Sequence, residues 1–386
     1  MPESQALDRI PFNRPFLAGR ELEYVRDAIA SGQISAGGRF TARCEALLEE
    51  ALPARRALLT TSCTHALELA ALLLGVAPGD EVIVPSFTFV STANAFVSHG
   101  ARPVFVDVRR DTLNLDERLV EARLGPRTKA IVPVHYAGVA CELDALDALA
   151  RRRGVPLVED NAHGLFGRFR GRALGTFGAV ATLSFHETKN FTCGEGGALL
   201  VNDPALVERA EVLRDKGTDR GRFFRGEVPR YTWVDHGSSW GLSELLAAYL
   251  LAQLERREQI WDLRRAAWAR YDAALAGWAK GQGLATPTVP DGCEPAYHLY
   301  HLVMRTPAER EALIASLRAR DILAIFHYQP LHLSKMGRRF GGREGDCPVA
   351  EALSERLVRL PLYNGITPDE QGRVIDAVRA FVDRGA

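Results

Sequence analysis

Two neighbouring runs decide the fold: Val155-Pro-Leu-Val-Glu-Asp160 is apolar and ends in carboxylates, and Ala181-Thr-Leu-Ser-Phe185 leads into a polar, glycine-rich stretch. Further short β-branched runs lie between residues 57 and 203, and helical patterns such as HALELAALLL at 65–74 separate several of them. Apolar runs that alternate with helices are typical of a buried, mostly parallel sheet. We therefore predict an α/β fold with a mostly parallel central sheet, whose ligands would lie at the carboxyl ends of the strands.

The composition argues against several classes of protein. The 386 residues include 48 basic and 48 acidic side chains, so no charge excess favours a nucleic acid polymer as partner. No apolar stretch reaches the roughly 18 residues of a membrane helix, and the N-terminal residues lack the pattern of a secretory signal. Six scattered cysteines without a C-x-x-C pattern favour neither a disulfide scaffold nor a zinc site, and His298 and His301 lack further metal ligands at suitable spacing. We expect a cytoplasmic protein without a metal site or a membrane partner.

The chain divides into two predicted domains. Residues 204–238 are rich in Gly, Arg and aromatic residues, and we predict that they form a long excursion with little regular structure, which is usually functional or interfacial. A helical pattern follows over about 241–278, and the Pro- and Gly-rich residues 286–295 mark a break. We predict a large α/β domain over residues 1–255, which includes the N-terminal segment, and a small α+β domain over residues 256–386.

Three polar features point to a site for pyridoxal phosphate (PLP). Asp160 follows a buried strand, and Lys189, one of only five lysines, stands in the stretch that ends at Gly194-Glu-Gly-Gly197. PLP needs a lysine amine for its covalent attachment and an acid that keeps its pyridine nitrogen protonated. Thr60-Thr-Ser-Cys-Thr64 directly precedes a predicted helix, whose N-terminus would favour a phosphate. Singly, each feature is also typical of a helix cap, a solvated lysine or a tight turn, so the prediction depends on their combination.

The run SFHETKNFTCGEGG at 184–197 resembles the S-F-x-x-x-K-x-x-x-x-G-E-G-G signature of the DegT/StrS family of PLP-dependent sugar aminotransferases. The resemblance extends from PFNRPFLAGRELEYV at 11–25 to RLPLYNGIT at 359–367, so it covers nearly the whole chain. It implies a fold-type I aminotransferase that works as a homodimer with shared active sites. PSFTFVSTANAF at 85–96 and VPVHYAGVACELD at 132–144 are similar to the branch that makes dTDP-4-amino-4,6-dideoxygalactose, by transfer of an amino group from L-glutamate to the C4 keto group of dTDP-4-keto-6-deoxyglucose.

The resemblance also implies roles for the residues around the cofactor. Lys189 is the Schiff-base lysine and the general acid/base, and Asp160 pairs with the pyridinium nitrogen. His163 takes the position of a Gln or His beside the ring hydroxyl. The other implied cofactor-binding residues are Cys63, Thr64 and Ser184 at the phosphate, Phe89 on the ring with Phe87 as second choice, and Ser239. Ser239 stands where many family members have an Asn that reaches the partner's phosphate site, so the chain departs from the family pattern there.

The substrate residues have weaker support. Arg222 and Arg225 belong to an arginine cluster in the predicted excursion and are candidates for binding the sugar nucleotide's diphosphate, although a solvated cluster fits the arginine-rich composition as well. The resemblance places Tyr328 and His332 near the sugar, and packing of the small domain is the alternative interpretation.

Other functions fit the same fold. In the related sugar dehydratases the resemblance implies a His in place of the lysine, and Lys189 argues against that reading. A non-catalytic PLP-fold sensor is disfavoured because Asp160, Ser184 and Lys189 are all present. Among aminotransferases, a 3-keto sugar nucleotide aminotransferase and one that yields the gluco epimer stay open as alternatives to the galacto product.

Overall fold

The structure is a computed structural model, and it describes residues 9–382. The helices are α1 (Glu21–Ala30), α2 (Arg39–Ala51), α3 (Cys63–Leu73), α4 (Val90–Val97), α5 (Glu117–Val120), α6 (Leu143–Arg153), α7 (Val207–Arg214), α8 (Arg220–Phe224), α9 (Glu244–Glu255), α10 (Arg257–Gly281), α11 (Pro307–Arg318), α12 (Lys335–Arg339), α13 (Pro348–Arg356) and α14 (Pro368–Val382). The strands are β1 (Arg56–Thr60), β2 (Glu81–Pro85), β3 (Arg102–Val106), β4 (Thr128–Ile131), β5 (Val158–Asp160), β6 (Arg168–Phe169), β7 (Arg172–Ala173), β8 (Val180–Ser184), β9 (Gly197–Val201), β10 (Cys293–Glu294), β11 (Tyr300–Val303) and β12 (Leu357–Leu360).

Seven strands make the central sheet. Strands β3, β2 and β4 pair in parallel, and β5, β8, β9 and β1 pair in that order. Parallel bridges between Ile131 and Leu157 and between Val134 and Asp160 connect the two groups. Strand β9 runs antiparallel to both of its neighbours, so it opposes the direction of the other six strands. The predicted α/β fold with a mostly parallel sheet is thus confirmed.

Helices cover both faces of this sheet. Successive residues of a strand point to opposite faces, and β1 shows the consequence. Leu59 packs in a core with α1, α2 and α9, whereas Leu58 packs in a second core with α3 and α4. Every residue of β8 and β9 is buried, which is why neither strand contains a charged residue.

The excursion after β9 contains more regular structure than predicted. Helices α7 and α8 lie within residues 204–238. Ala210 and Leu213, three residues apart on one face of α7, are buried in the core that also holds α3. The expectation of little regular structure there was wrong, because the Arg- and Glu-rich composition hides this short apolar stripe.

The C-terminal part has its own core, built on α10, α11, α14 and the antiparallel pair β11–β12. The helical pattern predicted over 241–278 is divided at Arg256, between α9 and α10. Ile10 also lies in this C-terminal core and bridges to Ile322. The domain division at 255/256 stays a prediction, and residues 1–8 and 383–386 of these domains lie outside the described part. No helix within residues 9–382 combines the length and the apolar character needed to cross a membrane.

Candidate active site

A cavity of about 560 Å³ opens beside the carboxyl ends of β5 and β8, between the central sheet and the β11–β12 region. Asp160 ends β5 and Ser184 ends β8, and the two strands run in parallel, so both side chains reach the same edge of the sheet. Eight of the twelve predicted site residues line the cavity: Cys63, Thr64, Phe89, Asp160, His163, Ser184, Lys189 and Tyr328.

Asp160 is held by a chain of hydroxyl groups. The residue is 4% exposed, and its Oδ2 accepts a hydrogen bond of 2.7 Å from the Thr92 hydroxyl of α4. The Thr92 hydroxyl is in turn 2.8 Å from that of Thr88, and Asp160 Oδ1 accepts from the Ala162 N–H at 3.2 Å. Burial raises the pKa of the Asp160 carboxyl, and the hydrogen bond from Thr92 opposes that rise. A cationic group in the cavity would therefore find a preoriented carboxylate.

Lys189 lies in the connection between the antiparallel strands β8 and β9. This connection folds back on itself through backbone hydrogen bonds from Glu187 N–H to Gly194 O and from Lys189 N–H to His186 O, both 2.9 Å long. The side chain lines the cavity, and no described residue hydrogen bonds to its amine. Burial lowers the pKa of Lys189 to about 8, so the neutral, nucleophilic form of the amine is far more populated near neutral pH than in an ordinary lysine.

The N-terminus of α3 forms an anion site on the same cavity. Ser62 caps the helix by accepting a hydrogen bond from His65 N–H. The backbone N–H groups of Cys63 and Thr64 have no acceptor among residues 9–382, and both residues line the cavity with Ser184. The glycine-rich turn closes against this helix end: a Cβ at Gly197 would lie 2.4 Å from Cys63 N. Gly197 is therefore required by the close approach of β9 to α3.

Two neutral imidazoles, those of His163 and His298, also line the cavity. The rings of His163 and His298 stack with centroids 4.2 Å apart, and burial lowers the pKa of both well below the usual value. Nδ1 of His298 is 2.9 Å from Asn190 Oδ1, and the Asn190 amide nitrogen donates to Ala296 O. Nδ1 of His163 is buried without a partner among the described residues. Neutral rings of this kind offer hydrogen bonds to a bound ring without adding positive charge.

These groups together fit PLP. A buried amine without a partner, a carboxylate held toward the cavity and free N–H groups at a helix N-terminus match the aldehyde, the pyridine nitrogen and the phosphate of the cofactor. The orphaned Nδ1 of His163 is the kind of buried polar atom that a ligand satisfies.

Arg359 is a site residue that the motifs did not identify. It lies in β12 and lines the cavity, and its guanidinium is 4.7 Å from the centroid of the Phe12 ring. Its Nε is buried without a partner, and no acidic side chain among residues 9–382 forms an ion pair with it. A guanidinium in this state is suited to a carboxylate from a ligand. The resembling segment RLPLYNGIT contains it, but only the structure shows that this strand faces the cavity.

Four predicted site residues do not line the cavity of this chain. Ser239 is exposed and forms an isolated bridge with Asp215. Arg222 pairs with Glu208 at 3.2 Å, and Arg225 pairs with Glu211 at 2.9 Å. His332 is fully buried between other side chains. Their predicted roles stay predictions, and that of Ser239 would require a second chain.

The whole chain is similar to known aminotransferases. The model of the DegT/DnrJ/EryC1/StrS aminotransferase family matches residues 15–379. The chain is 34% identical over 381 residues to the spore coat polysaccharide biosynthesis protein SpsC of Bacillus subtilis (strain 168), with 97% of each chain covered.

Solved structures agree with this match. The aminotransferase TlmJ from Streptoalloteichus hindustanus is 37% identical with a TM-score of 0.88, over 97% of this chain and 99% of that one. Spr1654 from Streptococcus pneumoniae in its PLP form is 27% identical with a TM-score of 0.90, again over 97% and 99%. The similarity therefore extends through both the sheet and the C-terminal region.

Proposed function

Because the chain belongs to the DegT/DnrJ/EryC1/StrS aminotransferase family, we propose that it transfers an amino group from L-glutamate to the C4 keto group of a dTDP-4-keto-6-deoxyhexose. The chain is a PLP-dependent sugar aminotransferase, and the product we propose is the dTDP-4-amino-4,6-dideoxy sugar with the galacto configuration. The observation that carries this proposal is that Lys189, Asp160 and the N-terminus of α3 line one cavity.

The proposed roles follow from the chemistry of each group. PLP, when bound, supplies an aldehyde carbon and an electron-withdrawing ring. Lys189 would hold that carbon through its amine and would move the proton at the donor's α-carbon. Asp160 would keep a proton on the pyridine nitrogen, and His163 would donate a hydrogen bond to the ring hydroxyl. Phe89 would pack on the ring.

The phosphate of the cofactor would be held by neutral donors. Cys63 and Thr64 offer backbone N–H groups at the start of α3, and Ser184 offers a hydroxyl at the end of β8. The helix dipole adds a favourable field for the anion.

We assign Arg359 to the amino donor. Its guanidinium donates to Phe326 O at 3.3 Å but forms no ion pair with a described acidic side chain, so it suits a carboxylate of L-glutamate. Tyr328 lines the same cavity, and we propose that it contacts the sugar, whereas L-glutamate occupies this cavity in its own half-reaction.

We further propose a homodimer in which each chain completes the site of the other. The exposed aromatic residues Phe224 and Trp233, 70% and 75% exposed, lie in the same excursion as Arg222 and Arg225. Large apolar side chains exposed within one segment are a common feature of interfaces. In the dimer, Ser239 would reach the partner's cofactor phosphate, and the two arginines would reach the nucleotide diphosphate.

Two further observations support the proposed substrate and location. The segments at 85–96 and 132–144 resemble the C4-aminating branch, and a relative is named for polysaccharide biosynthesis, a process that consumes activated sugars. All six cysteines are free thiols, which fits the reducing cytoplasm where we place the enzyme.

Absorbance changes test this proposal. L-glutamate should convert the PLP spectrum to that of the pyridoxamine form, and dTDP-4-keto-6-deoxyglucose should restore it. Restoration by a 3-keto isomer alone would favour the 3-keto sugar aminotransferase. A spectrum that L-glutamate leaves unchanged would favour the non-catalytic sensor, and the Lys189→Ala variant provides the inactive control.

A further inference from the structure

Outside the cofactor wall, three side chains form a line of polar contacts: Ser86 and His332 are fully buried, and Glu351 is partly exposed. His332 has no exposed surface, and its Nδ1 is 2.5 Å from Ser86 Oγ. Its Nε2 is 2.9 Å from Glu351 Oε1. Both ring nitrogens are thus occupied within the chain, so His332 has no free polar atom to offer to a substrate.

This line connects the central sheet to the C-terminal region. Ser86 directly follows β2, and its N–H donates to Val106 O of β3 at 2.9 Å, which fixes it to the sheet. Glu351 lies in the first turn of α13. His332 belongs to the segment between β11 and α13 and therefore lies between the two.

A second contact supports the same connection one strand away. Asp107 follows β3, and its carboxylate accepts hydrogen bonds from the N–H groups of Val349 and Ala350 at 2.9 and 2.8 Å. These donors are free N–H groups at the start of α13, where a carboxylate is favourable. The ends of β2 and β3 thus both hold the C-terminal region.

The chain is packed closely around His332. A Cβ at Gly337 would lie 2.7 Å from the His332 Cα, and one at Gly342 would lie 2.9 Å from its carbonyl carbon. Larger residues at these positions would push the His332 backbone away. The close approach of Gly337 and Gly342 thus fixes the backbone of His332.

The same segment carries cavity residues. Tyr328 and His327, four and five residues before His332, line the cavity. The Tyr328 ring packs edge-on against Phe87, the residue after Ser86, with centroids 5.7 Å apart. The Leu331 N–H donates to Ser86 O at 2.8 Å. Displacement of His332 from Ser86 would therefore move Tyr328 relative to Phe87 and the cavity.

We propose that His332 is a positioning residue, which holds Tyr328 and His327 at the cavity through its bond to Ser86, and that it does not contact substrate. This inference rests on the aminotransferase activity and not on the identity of the keto sugar. It replaces the predicted role of His332 as a sugar-binding residue.

Two substitutions of His332 separate the two bonds. Asn places its side-chain amide near the position of Nδ1 and can keep the bond to Ser86, whereas Gln places its amide near Nε2 and keeps only the bond to Glu351. Ser86→Ala removes the same cross-sheet bond from the other side. Ser98→Ala is the matched control, because the Ser98 hydroxyl bonds only to Asn94 O in the exposed end of α4.

The readouts are the L-glutamate half-reaction, PLP affinity and amide hydrogen exchange at Leu331 and His332 in the full chain. We expect His332→Gln and Ser86→Ala to raise the KM for L-glutamate about tenfold, with kcat and PLP affinity within about threefold, and to speed exchange at both amides. His332→Asn and Ser98→Ala should stay near the wild type. The Ser86→Ala/His332→Gln double variant should be no worse than either single variant, since both remove one bond.

Two results would overturn the inference. Equal KM increases in His332→Asn and His332→Gln, with hydrogen exchange at Leu331 and His332 unchanged in both, would mean that the imidazole acts on the substrate and not through its bond to Ser86. Unchanged exchange and unchanged KM in His332→Gln and Ser86→Ala would mean that the link positions nothing. Hydrogen exchange and the L-glutamate half-reaction do not involve the keto sugar. These results can therefore be interpreted even if the proposed sugar is wrong.

Discussion

The Thr92 hydroxyl donates a 2.7 Å hydrogen bond to the buried carboxylate of Asp160, and this bond joins α4 to the end of β5. Thr92 was not identified from the sequence as a site residue, because a Thr inside an apolar helix is usually explained by packing. The structure shows that it fixes the orientation of the carboxylate and opposes the effect of burial on the pKa of Asp160.

Thr92→Val should lower kcat about tenfold. The variant removes a hydrogen bond to a charged group, which contributes about 1.5–3 kcal/mol. Without this bond the ionised form of Asp160, which pairs with the cofactor's ring nitrogen, is less stable. Thr92→Ser keeps the hydroxyl and should retain most of the activity. Steady-state kinetics on both variants measure the difference, and equal rates would show that the bond has no role in catalysis.

The pH dependence of cofactor capture should report the Lys189 amine. Burial lowers the pKa of Lys189 to about 8, and only the neutral amine can bind the cofactor's aldehyde. In stopped-flow absorbance, the rate of PLP capture by the cofactor-free protein should rise with pH around a midpoint near 8. A midpoint near 10.5, the ordinary value for lysine, would contradict this explanation.

The lowered pKa of Lys189 also makes the stability of the protein depend on pH. Between about pH 8 and 10.5 the unfolded chain binds a proton at Lys189 that the folded chain has lost. The free energy of unfolding of the cofactor-free protein should therefore gain a contribution from this residue as pH rises through that window. Denaturant titrations of the wild type and Lys189→Met at pH 7.5 and 9.5 isolate the contribution of this residue. The increase in the free energy of unfolding that Lys189 causes between the two pH values should be absent in the variant.

Gly197→Ala should weaken both folding and cofactor binding. Its Cβ would lie 2.4 Å from Cys63 N, so either β9 or the start of α3 must shift, and overpacking of this kind costs about 1–3 kcal/mol. Gly277→Ala is the control, since nothing lies within 4 Å of its Cβ and Ala is favoured over Gly inside α10. Thermal unfolding should show a lower Tm for the first variant and an equal or higher one for the second.

Arg359→Met should raise the KM for L-glutamate about 100-fold and leave PLP affinity nearly unchanged. The guanidinium has no acidic partner among the described residues, so we expect a bidentate bond to the donor's carboxylate. Arg379→Met is a matched control: Arg379 also has an unpartnered Nε and lies over the Trp278 ring, but it is in α14 and does not line the cavity. Similar effects in both variants would indicate general destabilisation.

Much of the fold was predictable because its signals are local. The apolar runs that became β5, β8 and β9 are buried on both faces, and the glycine-rich turn had to bring Lys189 beside the end of β5. The position of Ser184 opposite Gly197 follows from the antiparallel pairing of β8 with β9. Short motifs of this kind determine their local structure without help from distant parts of the chain.

The remainder depends on contacts between distant parts of the chain. Arg359 reaches the cavity only because β12 pairs with β11, and His332 meets Ser86 across 246 positions of sequence. The helical pattern of apolar residues continues across Arg256, so it does not show that α9 ends and α10 begins there. Periodicity and spacing contain no information on such pairings, so the structure was needed to find them.

Product analysis tests the central claim most directly. Purified protein with PLP, L-glutamate and dTDP-4-keto-6-deoxyglucose should yield 2-oxoglutarate and one amino sugar nucleotide, and NMR should place its nitrogen on C4 with the galacto configuration. Nitrogen on C3, or no amino sugar while L-glutamate still converts PLP to the pyridoxamine form, would contradict the proposed substrate.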